Sequence, residues 1–227
     1  METILEANHL RKTFKKHGVK AVDDVTLAIP KGRTLGLVGE SGCGKSTLAK
    51  LLLGLLPADG GEVFFGGQKI AALKGAGLKN FRKNAQIIFQ HPHASLDPRL
   101  RVREILAEPF WIHGRPDASF LKQKVAELLE RVGLPPHFSE RLPRELSGGE
   151  CQRVAIARAV SLDPALVICD EPVSSLDALV QAGILNLLLR LQREKGIACL
   201  FISHDLRVVR HMSDEILRMK CGKIGRF

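Results

Sequence analysis

Eight consecutive residues, Gly39-Glu40-Ser41-Gly42-Cys43-Gly44-Lys45-Ser46, fit the pattern GxxxxGKS, and Thr47 follows. The glycines let backbone N–H groups turn inward around phosphate oxygens where a Cβ would obstruct. Lys45 can reach the β- and γ-phosphates of a nucleoside triphosphate, and the Ser46 hydroxyl can ligate Mg²⁺. A second candidate lies far along the chain, where the apolar run Leu166-Val167-Ile168-Cys169 ends in Asp170-Glu171. Asp170 would hold Mg²⁺, through water, and Glu171 would polarise an attacking water as general base. The chemistry implied is nucleotide binding followed by phosphoryl transfer to water.

Both motifs need a scaffold that brings them together. Residues 35–38 read as a buried strand entering the glycine-rich loop, and a helix over 45–56 leaves it, placing its positive dipole end at the phosphates. Short strands are expected at 4–10 and 25–29, the latter followed by the turn Pro30-Lys31-Gly32, and again at 63–65 and 86–89. From about 101 to 162 helical spacing dominates: Leu121, Val125, Leu128, Leu129 and Val132 share one face, with Ser119 as a cap and Gly133 as a stop. After Pro164 the alternation resumes. A strand at 166–169 precedes a helix carrying Val180, Ile184, Leu187, Leu188 and Leu191, then strands at 197–203 and 216–219. Strands alternating with helices imply parallel pairing with both sheet faces covered. In such a sheet ligands sit beyond the carboxyl ends of the strands, so the loop after Val38 and the acids after Cys169 face one crevice.

Composition narrows the setting. The 227 residues are 45% hydrophobic and 26% charged, which suits a globular chain with a good core. No apolar run approaches the roughly 18 residues of a membrane span. Residues 1–16 lack the apolar centre of a secretory signal, which points to a chain that stays inside the cell. Five scattered cysteines without a CxxC pair fit reduced thiols rather than a disulfide framework or zinc site. The formal charge of +10 is dispersed, without the Lys/Arg block of a nucleic-acid arm. It reads as a generally basic surface. His91 and His93 lack further ligands nearby and read as exposed loop residues. Ser203-His204-Asp205 are too close in sequence to converge as a hydrolase relay.

Leu146-Ser147-Gly148-Gly149-Glu150 resembles the LSGGQ signature of ATP-binding cassette (ABC) proteins, with Glu in the last place. Ser-x-x-Glu is also a capping box, so Ser147 can cap a helix over 149–161 while Glu150 reaches back. The resemblance covers nearly the whole chain. It implies an α/β fold with a P-loop NTPase (RecA-like) core, a mainly parallel sheet, an N-terminal antiparallel β subdomain and an inserted helical subdomain. On that pattern residues 1–227 form one ABC ATPase domain, with the nucleotide-binding core at 1–90 and 163–227 and the helical signature subdomain at 91–162. Gln90 looks like the Q-loop glutamine that senses Mg²⁺ and the attacking water. Ser174-Ser175-Leu176-Asp177 looks like the D-loop that crosses between subunits, and His204 like the switch histidine that contacts the γ-phosphate. Phe14 is similar in place to the aromatic that stacks on adenine.

In this family the signature loop of one subunit closes over ATP held by the phosphate loop of another, so a second ATPase subunit, identical or paired, is implied. The stretch from Gln90 to Arg99, followed by Glu108-Pro109, is similar to the region after the Q-loop in dipeptide, oligopeptide and nickel importer ATPases. That likeness implies transmembrane permease subunits docking after Gln90, a solute-binding protein acting indirectly, and a peripheral place on the cytoplasmic side of the membrane. No nucleic-acid partner is expected. Two rival readings are a soluble cassette working on nucleic acid or ribosomes, and a regulatory cassette that binds ATP with little turnover.

Overall fold

The computed structural model describes residues 2–14, 18–114 and 116–226. Met1, Lys15, Lys16, His17, Arg115 and Phe227 lie outside the described residues, among them both ends of the expected 1–227 unit. In chain order the strands are β1 (Thr3–Phe14), β2 (Val19–Pro30), β3 (Thr34–Val38), β4 (Gly60–Phe65), β5 (Gln68–Lys69), β6 (Ala85–Ile88), β7 (Leu166–Asp170), β8 (Ala198–Ser203), β9 (Glu215–Lys220) and β10 (Lys223–Arg226). The helices are α1 (Lys45–Leu52), α2 (Gly75–Asn84), α3 (Pro92–Ser95), α4 (Val102–His113), α5 (Ala118–Arg131), α6 (Gly148–Val160), α7 (Ala178–Lys195) and α8 (Leu206–Met212).

Six strands form the central sheet in the order β10-β9-β3-β8-β7-β6, and four form an antiparallel sheet in the order β2-β1-β4-β5. Within the central sheet β9, β3, β8, β7 and β6 pair parallel, and β10 alone pairs antiparallel, on β9. Every residue of β3, β7 and β8 is buried, as a parallel sheet covered on both faces requires. Alternate side chains separate the two coverings. Leu35, Leu37, Ile168, Leu200 and Ile202 meet α1 and the antiparallel sheet. Val167, Cys169, Cys199 and Phe201 meet the helices from α4 to α7.

Several local expectations change. α1 stops at Leu52, short of 56, because the Leu55 N–H turns back to the Lys50 carbonyl at 2.9 Å and Pro57 has no N–H to extend the ladder. The cap of α5 is Asp117, whose carboxylate accepts from the Phe120 N–H at 2.9 Å, while Ser119 donates its hydroxyl to that carboxylate at 2.7 Å. β1 and β2 each run twelve residues, well past their apolar centres. Their pairing shifts register between Ala7 and Leu10, where His9 and Asp24 take positive φ (53° and 61°), so bulges carry the ladder on. Between β6 and β7 no strand occurs among the described residues.

Candidate active site

The loop Gly39–Gly44 links β3 to α1. It lies so close to β9 that a Cβ on Gly39 would sit 2.4 Å from the Met219 carbonyl oxygen. Only glycine fits there. Lys45 opens α1 and is 4% exposed. Its Nζ donates to the carbonyls of Gly39 (2.8 Å) and Glu40 (3.0 Å) and lies 3.4 Å from Glu171 Oε1. The charge is therefore held under the loop, where phosphate oxygens would be stronger acceptors than these carbonyls.

β7 ends next to this loop and delivers the two acids. Ser46 donates its hydroxyl to Asp170 Oδ1 at 3.0 Å. Burial raises the Asp170 pKa above the usual carboxylate value, against the lowering effect of the Ser46 bond, and the neighbouring Glu171 charge adds to the rise. A buried carboxylate beside a hydroxyl is a pair of hard oxygen donors, which fits Mg²⁺. Among the described residues no group of three or more His, Cys, Asp or Glu converges as a metal cage. The pair therefore suits an ion that brings its remaining ligands with it on water and phosphate.

Glu171 has φ 48°, a strained conformation for a residue with a side chain, fixed by its N–H donating to the Ile202 carbonyl at 3.0 Å. That turn aims its carboxylate across to β8, where Oε2 is 3.1 Å from His204 Nδ1. A carboxylate only accepts, so this bond places a proton on Nδ1. Nε2 can then donate to a phosphate oxygen only when the ring carries both protons.

Gly39, Glu40, Ser41, Gly42, Cys43, Gln90, Glu171, Ser174, Ser175 and His204 line one open cleft of about 1050 Å³. The structure thus gathers the phosphate loop, the Q-loop position, the acid, the histidine and half of the D-loop. Gly44, Lys45, Ser46, Thr47 and Asp170 do not line this cleft themselves but adjoin its lining in the chain, whereas Phe14, 39% exposed at the end of β1, and Leu146–Glu150 are neither in the lining nor next to it in the chain. Sequence reasoning missed Arg218 and Lys220, two exposed cations of β9 that form part of the cleft wall. They alternate with buried Leu217 and Met219, a pattern visible in the sequence, but only the parallel pairing of β9 with β3 shows that they flank the loop.

The signature turn is built as its own unit. Ser147 caps α6 by accepting from the Glu150 N–H at 3.3 Å, and Glu150 Oε2 accepts from the Ser147 N–H at 2.7 Å. A Cβ on Gly149 would lie 2.5 Å from Val180 Cγ1, so the turn abuts the first turn of α7. Asp177 caps that helix, accepting from the Val180 N–H at 3.0 Å. The signature turn therefore packs against Leu176 and the start of α7, at the far end of the D-loop from Ser174 and Ser175, which line the cleft.

The chain is similar to proteins of known kind. The oligopeptide transport ATP-binding protein OppF of Haemophilus influenzae is 46% identical over 97% of this chain and 70% of its own length. The oligopeptide transport ATP-binding protein AppF of Bacillus subtilis is 48% identical over 98% of this chain and 71% of its own. Among solved structures, the dimeric bacterial ABC transporter cassette MJ0796 superposes with a TM-score of 0.88 at 29% identity, covering 98% of this chain and 97% of that one. A post-hydrolysis dimer of the same cassette, bound to ADP and Pi, gives 0.87 at 30% identity, with the same coverage of both chains. The family model described as ABC transporter matches residues 22–174, so the chain belongs to the ABC transporter family.

Proposed function

We propose that this chain is the ATP-hydrolysing subunit of a peptide importer, working as a dimer of cassettes around two ATP molecules. The observation that carries the dimer is the separation of its half-sites: no signature residue lines the cleft that holds the phosphate loop, Glu171 and His204. A neighbouring chain must bring Leu146, Ser147, Gly148, Gly149 and Glu150 to that cleft, offering the exposed N–H groups of α6 to the terminal phosphate. Residues 1–90 and 163–227 serve as the nucleotide-binding core and 91–162 as the helical subdomain that presents this turn.

Within the cleft the loop amides from Gly39 to Ser46 and Thr47 cradle the phosphates, and Lys45 exchanges its carbonyl partners for phosphate oxygens. Ser46, Asp170 and Gln90 would hold Mg²⁺, and the ion would supply positive charge against the negative charge of the phosphates. Glu171 takes the proton of the attacking water, with its carboxylate held between His204 Nδ1 at 3.1 Å and Lys45 Nζ at 3.4 Å. Phe14, outside the cleft lining, is assigned as the platform for an adenine that projects out of the cleft. The D-loop, Ser174 to Asp177, touches both the cleft and the signature turn, so phosphate release at one site is felt at the other. Phosphoryl transfer asks mainly for positioning and charge stabilisation, which closure of the dimer supplies.

Peptide cargo is favoured over nickel by the names of the two relatives. Their length beyond the matched region leaves the permease contact, the solute-binding protein and the cytoplasmic membrane face as parts of this proposal. No helix of the described residues is long and apolar enough to cross a membrane, and in this reading separate permease subunits carry the cargo. The test is ATP turnover by the chain reconstituted in liposomes with peptide-importer permease subunits. Turnover raised by a peptide-loaded binding protein supports the reading. Turnover raised by nucleic acid or ribosomes, and not by peptide, overturns it.

A further inference from the structure

We propose that Cys43 and Cys221 form an oxidisable thiol pair, closing into a disulfide that unfits the phosphate loop for a triphosphate. Five cysteines are free, and these two are the ones that solvent reaches, Cys43 half-buried and Cys221 exposed. Both line the cleft. β9 runs parallel to β3 with Arg218 opposite Val38, so the loop leaving β3 and the turn leaving β9 emerge side by side. The Gly222 N–H, immediately after Cys221, donates to the Cys43 carbonyl at 3.1 Å. The bond joins the peptide unit that follows Cys221 to the carbonyl of Cys43, so the two residues are backbone neighbours, as a disulfide requires. A Cβ on Gly39 would lie 2.7 Å from Cys43 Sγ and 2.4 Å from the Met219 carbonyl, so the thiol and the end of β9 lie on the same side of Gly39.

The other cysteines cannot take this role. Cys169 and Cys199 have sulfurs 3.9 Å apart but are buried, and Cys199 pairs with Val167, two residues from Cys169, along parallel strands. Cys151 is buried, which pushes its thiol up to about 11.

The oxidant is a hydroperoxide such as hydrogen peroxide. One thiol sulfur takes an oxygen as the O–O bond breaks, giving a sulfenic acid and one water. The second sulfur attacks it, the S–S bond forms, the S–O bond breaks, and the second water leaves. Bridged, Cys43 is tied to the turn after β9, and the loop can no longer rearrange to release Lys45 from the Gly39 and Glu40 carbonyls. That consequence rests on the nucleotide reading of the loop.

The experiment treats the full chain with hydrogen peroxide, maps linked peptides without reductant, and measures binding of a fluorescent ATP analogue. Expected are a Cys43–Cys221 link within single chains, suppressed by MgATP, and a loss of affinity of at least about tenfold that dithiothreitol restores. Cys221→Ser, reduced, should bind the analogue as the unsubstituted chain does and form no link. Oxidation beyond sulfenic acid without a bridge, links to other cysteines or between chains, or a bridged protein of unchanged affinity would each overturn the proposal. A reduced chain that binds no ATP would instead overturn the nucleotide reading, and the bridge is then judged by the peptide map alone.

Discussion

Replacing Ser147 by Ala separates the two duties assigned to the signature turn. As a cap, Ser147 contributes one long bond of 3.3 Å from the Glu150 N–H, while the shorter bond of 2.7 Å from the Ser147 N–H to Glu150 does not involve the hydroxyl. Losing an N-cap side chain costs typically about 1 kcal/mol, and the length of the lost bond puts this case at about 0.5–1 kcal/mol. For a chain of this size each kcal/mol lowers the Tm by roughly 2–4 °C, so a fall of about 1–4 °C is expected. As a contact to the partner's terminal phosphate, the hydroxyl makes a hydrogen bond to a charged group, of about 1.5–3 kcal/mol. At about 1.4 kcal/mol per tenfold, turnover should fall roughly 10- to 150-fold. Thermal melting of the nucleotide-free variant and phosphate release at saturating ATP measure the two effects separately. Turnover reduced less than threefold beside a lowered Tm would show that Ser147 is a helix cap and nothing more.

Lys45→Ala should abolish tight MgATP binding by equilibrium titration; unchanged affinity would remove the phosphate-loop assignment. Gly39→Ala forces a Cβ within 2.4 Å of the Met219 carbonyl and should destabilise by about 1–3 kcal/mol, whereas Gly225→Ala, with open space around it, should leave the melting curve where it was. Asp170→Asn should raise the Tm of metal-free protein at pH 7, while turnover measured with Mg²⁺ present is lost. A carboxyl whose folded pKa is raised contributes stability at pH below its ordinary value and loses it as pH climbs through the folded pKa. The gain should therefore shrink in acid, and a lowered Tm at pH 7 would contradict the burial account.

The phosphate loop, the acidic pair and the signature turn were legible because each is a contiguous run whose residue types carry the chemistry. So was the parallel core, since β3, β7 and β8 are continuous apolar runs. Local order without an apolar pattern was not legible. α2 buries only Phe81, and α8 and β10 are too short to show a period. The caps of α5 and α6 show the difference between geometry and composition. Ser147 had Glu150 to confirm it, whereas near α5 both Asp117 and Ser119 could cap, and only the backbone decides for Asp117. The neighbours of the cleft were hidden for another reason: Arg218, Lys220 and Cys221 reach the loop through strand pairing 180 residues apart in sequence, with Val38 opposite Arg218.

The most direct measurement is a structure of the Glu171→Gln variant, which cannot take the water's proton, grown with MgATP. The account predicts a dimer with each γ-phosphate within about 3 Å of the Ser147 hydroxyl or the Gly149 N–H of the other chain. A γ-phosphate bound only by its own chain, with every Ser147–Glu150 turn facing solvent, would contradict it.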